Sequence, residues 1–103
     1  MALKRWAIPN FVIDSDTELL EAQANEETVL FSMLLSNNEA VDDAVIEVKH
    51  TDGFNVIFQW KINKTSSESP TAIDSVIVLA PGDKILVRSD KNNVAVMVSG
   101  EAK

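Results

Sequence analysis

The sequence predicts an all-β domain, an antiparallel two-sheet β-sandwich of jelly-roll or Ig-like type with about eight short strands. Apolar residues recur at every second position in several runs rich in Val, Ile and Phe, the period of a half-buried strand. Turn-forming residues punctuate these runs at sandwich-like spacing. No strand–helix–strand alternation is visible, so two packed antiparallel sheets are the economical layering. At 103 residues the chain has room for one domain. The expected organisation is an N-terminal arm or edge strand over residues 1–12, then one sandwich domain over 13–103.

The first stretch, LKRWAIPNFVI, clusters Leu3, Trp6, Ile8 and Phe11 ahead of an acidic region. It reads either as a first strand packed into the sandwich or as a segment that docks on a neighbouring subunit with Trp6 as anchor. These four residues are the candidate subunit interface. Residues 17–23, TELLEAQ, read as an edge strand, with a helical turn capped by Asp16 or Thr17 as the competitor. Residues 28–37, TVLFSMLLSN, place Val29, Phe31, Met33 and Leu35 in phase. Leu30 and Leu34 on the other face point to a strand covered on both sides or lying at a subunit contact. A short helix competes, since Met and Leu favour it. Asn37 and Asn38 then end the run in a turn.

Local patterning is strongest at residues 54–63, FNVIFQWKIN. Phe54, Val56, Phe58, Trp60 and Ile62 share one face, which places Trp60 in the core. The preceding AVIEVKH alternates likewise, and Thr51-Asp52-Gly53 between the two runs is a hairpin cue because Asp-Gly tolerates positive φ. TSSESP, residues 65–70, is a polar loop. Residues 73–79 form a strand, and Ala80-Pro81-Gly82-Asp83 supplies Pro and Gly where a type II turn needs them. Residues 84–88 pair back, 89–93 make a polar tip, and 94–99 close the fold. The tail is thus expected to be a three-stranded meander within one sheet.

Composition excludes several functions. Without cysteine there are no disulfides, thiolate catalysis or zinc–thiolate sites. The longest apolar runs are too short to cross a membrane, and no export signal is read at the N-terminus. The net charge is −7, and it is concentrated between Asp14 and Asp52, where Lys49 is the only cation. An acidic surface repels phosphates, so no nucleic-acid partner is expected. The acidic half serves solubility, or it docks on a basic surface.

The residues for catalysis are scarce. His50 is the only histidine, it stands at a hairpin end beside Asp52, and no GxSxG elbow exists. It is read as a surface histidine flanking the turn. Asp14, Asp16 and Glu18 alternate like the start of a calcium loop, but Leu19 occupies the sixth position, where that loop needs glycine. These acids are read as a solvated turn. No phosphate-cradling glycine motif is present. Asn63-Lys64-Thr65 matches a glycosylation sequon and is expected to carry nothing. Neither a cofactor nor a metal is expected.

Four segments, LFSMLLSNNEA, AVIEVK, LAPGDKILV (residues 79–87) and the valine-rich run 94–101 closing on Ser-Gly-Glu, resemble the small β-sandwich structural proteins of tailed bacteriophage virions. The resemblance covers roughly the last three-quarters of the chain. The family pattern has a proline-rich turn before the penultimate pair of strands; here Ser69-Pro70-Thr71 stands near that place in a looser form. The resemblance implies a non-enzymatic virion component, a capsid decoration or cement protein or a neck or tail accessory. Such a protein is made in the host cytoplasm and works as a homo-oligomer or on a lattice, through copies of itself and other virion proteins. The alternative is a carbohydrate- or receptor-binding sandwich module, whose sign would be exposed aromatics on one face.

Overall fold

The computed structural model describes residues 2–65 and 71–102 and is all-β, with no helix among them. Nine strands form: β1 (Ala2–Ile8), β2 (Thr17–Glu21), β3 (Thr28–Asn37), β4 (Ala44–Thr51), β5 (Val56–Lys64), β6 (Thr71–Ile73), β7 (Ile77–Leu79), β8 (Lys84–Ser89) and β9 (Val94–Ala102). One sheet, called A below, has the order β1-β9-β3-β6, with β7 also paired to β3. The other, sheet B, has the order β2-β8-β4-β5. All pairings are antiparallel.

The order is a jelly roll. β6 and β7 both pair with β3 and act as one interrupted strand. With that, the chain is one long hairpin whose tip lies between β4 and β5, with β3 against β6–β7, β2 against β8 and β1 against β9. Rolling that hairpin brings β9 beside β3 and β8 beside β4, which makes the two sheets. This decides between the two sandwich types that the sequence leaves open.

It also corrects the tail. The strands β7, β8 and β9 are not a meander, because β8 lies in sheet B while β7 and β9 lie in sheet A. The turns at 80–83 and 90–93 cross from one sheet to the other. Ala80-Pro81-Gly82-Asp83 does form the expected turn, with Gly82 at φ 90° and Asp83 N–H donating to the Ala80 carbonyl at 3.0 Å. A tight turn reverses the chain equally well within a sheet or between two.

Alternation fills the core as expected along β4, β8 and β9, where Ile46, Val48, Ile85, Val87, Val94, Val96 and Val98 are buried. In β3 the phase differs. A bulge at Phe31, between Leu30 and Ser32, shifts the inward set to Leu30, Met33 and Leu35 and turns Val29, Phe31 and Leu34 outward. One extra residue in a strand reverses the facing of everything before it. At the same level β9 presents Gly100, where an added Cβ would press on the Val29 carbonyl oxygen and lie 3.1 Å from Leu30 Cα. On the other side of the bulge, residues 74–76 interrupt the strand expected over 73–79. Ser32 Oγ reaches across to donate to Asp74 Oδ1 at 3.2 Å.

The polar ends are tied by side chains. Asn37, buried at the end of β3, donates from Nδ2 to the Asp42 and Lys64 carbonyls at 2.8 and 2.9 Å. Its Oδ1 accepts from Glu39 N–H. At the β4–β5 tip Asp52 accepts from Phe54 and Asn55 N–H at 2.8 and 2.7 Å, and Gly53 takes φ 97°. TSSESP lies outside the described residues from Ser66 onward.

Candidate interaction surface

The outer faces of the two sheets differ in kind. On sheet B, residues facing away from the core form ion pairs: Lys49 with Asp16 at 3.4 Å, Lys61 with Glu47 at 3.8 Å, and Lys84 with Glu18 and Glu21 at 3.7 and 3.5 Å. Cations of the second half of the chain thus offset part of the acidic first half. A shallow depression of about 260 Å³ here mixes both signs, with Asp14, Glu47, Lys61, Arg88 and Asp90 around Val45. Exposed pairs of this kind keep a face soluble and add little stability.

Sheet A carries an apolar row outside, flanked by Arg5, Ser32 and Ser99. The registers put Ala7, Met97, Leu34 and Ala72 in one row across four strands, with Phe31 and Val78 nearby. A second hollow of about 190 Å³ is lined by Leu34, Leu35, Ser36, Ala95 and Met97. Among the described residues nothing covers this face. Of the sequence expectations for β3, coverage on both sides is therefore not what the isolated chain shows.

The third surface is the flank where the sheets open between β5 and β6–β7. A groove of about 400 Å³ runs there, lined by His50, Phe58, Trp60, Ser75, Val76, Ile77 and Val78. It originates in the interruption after β6, since residues 74–76 leave the sheet and splay Val76 outward. β5 is the last strand of sheet B, and its inward face is only half covered. Trp60 and Ile62 pack against the core, whereas Phe58 is 51% and Phe54 94% exposed. The alternation in 54–63 marks one apolar face only from Phe58 onward. The bulge at Ile57 sets Val56 opposite Thr51 and Phe58 opposite His50, so Val56 falls on the other face from Phe58, Trp60 and Ile62. Phe58 and Trp60 lean together with ring centroids 4.4 Å apart and planes at 60°.

His50 stands at the inner wall of this groove and corrects another expectation. It is buried, and its Nε2 lies 2.9 Å from Asp83 Oδ2, not beside Asp52 in solvent. The carboxylate can only accept, so Nε2 carries the hydrogen. The same Asp83 oxygen accepts from Ala80 N–H at 3.0 Å. The pair therefore clamps the 80–83 turn to β4. Sequence reasoning missed it because the partners are 33 residues apart. Ser75 lines the same groove, but among the described residues no hydrogen bond joins its hydroxyl to His50. Among the described residues no three His, Asp or Glu side chains gather as a metal site would require.

The four sequence-predicted interface residues separate. All come from β1 and the loop after it. Ile8 and Phe11 are buried in the chain's own core. Trp6 is half-buried and packs against that core, and Leu3 is 81% exposed. Residues 2–8 form an edge strand paired along its length with β9.

No family model matches the chain, and no curated protein matches it. Among solved structures, two crystal structures of a pentameric capsid protein isolated from metagenomic phage sequences are similar. Both are 21% identical with a TM-score of 0.44, over 93% of this chain. The chain spans 61% and 60% of the length of those proteins. Likeness at that level fixes neither family nor role.

Proposed function

We propose that the chain is a non-enzymatic structural component of a phage virion. In this reading it is a capsid decoration or cement protein, or a neck or tail accessory, made in the host cytoplasm and acting through contacts with its own copies and with other virion proteins. The observation that carries the reading is the division of its surface. One sheet is laced with ion pairs, while the other and the β5 flank expose Phe31, Leu34, Phe54, Phe58, Val76 and Val78. Exposed apolar side chains grouped around one groove, as Phe58, Val76 and Val78 are, mark a place where another macromolecule sits. The jelly-roll order supports the reading because capsid domains use it, although lectins and cupins do too. The segments 30–40, 44–49, 79–87 and 94–101 add the resemblance to virion sandwich proteins. Leu3 and the exposed part of Trp6 extend the contact surface along β1.

The carbohydrate-binding reading draws on the exposed Phe54 and Phe58. It is less well served, because Phe58 and Trp60 meet at 60° and do not present the flat platform on which a sugar ring stacks.

Mass spectrometry of gradient-purified particles released by the genome that carries this gene tests the proposal. The chain is expected among the particle proteins in multiple copies. Its absence from purified particles, or specific binding of the isolated domain on a glycan array, would overturn it.

A further inference from the structure

We infer that β5 is a self-association edge, at which two copies pair their β5 strands antiparallel about a two-fold axis. This deepens the assembly reading above and rests on its self-association. The pairing would join two four-stranded sheets into one continuous sheet. It would also close the β5–β7 groove of each copy against the other.

Three observations converge on this occupant. First, β5 is a nine-residue strand at the end of its sheet. The outward row of backbone N–H and C=O groups over residues 58–63 has no strand partner among the described residues. Edges this long are ordinarily protected by charges, proline or a bulge. Residues 58–63 carry no proline and one charge, Lys61, which is turned toward Glu47 on its own sheet. The bulge at Ile57 lies at one end of the strand and leaves that stretch regular.

Second, the area is sufficient. Phe54, Val56, Ile57, Phe58, Val76 and Val78 are between 51% and 94% exposed. At on the order of 100–200 Å² for a fully exposed apolar residue, they offer roughly 500 Å². A standard interface takes about 800 Å² from each partner, and the backbone edge with Gln59, Lys61 and Asn63 supplies the rest.

Third, the charges disfavour a register centred on Lys61 and permit the one with the fullest overlap. A two-fold perpendicular to the sheet must pass through a residue, so that opposed side chains share a face. Centring on Lys61 would oppose two ammonium groups. Centring on Trp60, the midpoint of β5, overlaps the strands fully. It sets Phe58 against the partner's Ile62 on the inner face and Gln59 against the partner's Lys61 on the outer. No like charges meet, and the apolar pairs lie on the face that continues the core.

The chain lacks cysteine, which makes the test clean. Gln59→Cys and Lys61→Cys proteins, mixed and oxidised, should form a mixed disulfide dimer in preference to either homodimer. Independently, Phe58→Lys combined with Val76→Lys should keep the far-ultraviolet circular dichroism of the parent. In light scattering it should shift the oligomer to smaller species, weakening association on the order of a hundredfold. An unchanged oligomer in the double lysine variant, or no preference for the mixed disulfide, overturns this interface and leaves self-association standing. A parent chain that stays monomeric at every concentration overturns both.

Discussion

Gly100→Ala should destabilise the domain through a mechanism that the other two glycines do not share. Gly100 is absent from the positive-φ residues, so alanine meets no conformational objection there. The obstacle is steric. The new Cβ would press on the Val29 carbonyl oxygen and sit 3.1 Å from Leu30 Cα. Both are main-chain atoms of β3, and neither can rotate away. The β3–β9 ladder must therefore part at the bulge. Overpacking of this kind costs about 1–3 kcal/mol, and rigid obstacles place it near the top. The lost flexibility of the unfolded chain returns about 0.4–1 kcal/mol. A net loss of about 2 kcal/mol is a sizeable part of the roughly 5–15 kcal/mol that hold such a domain. It should lower Tm by on the order of 10 °C. Thermal unfolding followed by circular dichroism reads this directly, and hydrogen exchange should show lost protection at residues 28–30 and 100–102. The control is Gly53, which has φ 97° with open space around it. Asparagine, which tolerates that conformation, should be nearly neutral at 53 and more damaging than alanine at 100. A Gly100→Ala protein melting within about 2 °C of the parent would refute the steric account of the bulge.

Asp83→Ala should cost about 3 kcal/mol in urea unfolding, because it strips the buried His50 ring and the Ala80 N–H of their shared acceptor; a loss below about 1 kcal/mol would mean the clamp is ornamental. The N–H groups of Asn55 and then Phe54 hold the Asp52 carboxyl below its ordinary value of 3.8. A depressed folded value means that the turn's contribution is fully present above the unfolded value and fades as pH falls through the folded one. An NMR titration of Asp52 should therefore give a midpoint under 3.8, and a midpoint at or above it contradicts the hydrogen bonds drawn at the tip. Leu3→Asp should leave folding intact, since the side chain is exposed. Removing residues 1–10 should instead destabilise the domain, since Ile8 belongs to the core and β1 covers β9. Urea midpoints of the two variants check the contrast.

Much of the fold was legible because it is local. The β4–β5 hairpin follows from two alternating runs around Asp52-Gly53, and the 80–83 turn from Pro and Gly in the positions that need them. The candidate surface was legible only in part. Leu34 on the outer side of β3 pointed to a contact face, and there the structure leaves it exposed. Phe58, Val76 and Val78 gave no such sign, because an edge strand's side chains look like core residues until their cover is known.

By itself the sequence determined that the strands have two faces, where the chain turns, and that no thiol chemistry is possible. Tertiary structure alone decided which sheet each strand joins, which face of β3 is inward, and that His50 meets Asp83. The physical reason is range. Alternation and turn chemistry act over a few residues, whereas β1 finds β9 across nearly the whole chain and β4 finds β8 past the intervening β5, β6 and β7. One inserted residue at Phe31, accommodated by Gly100 from the far end of the sequence, then reassigns every side chain before it.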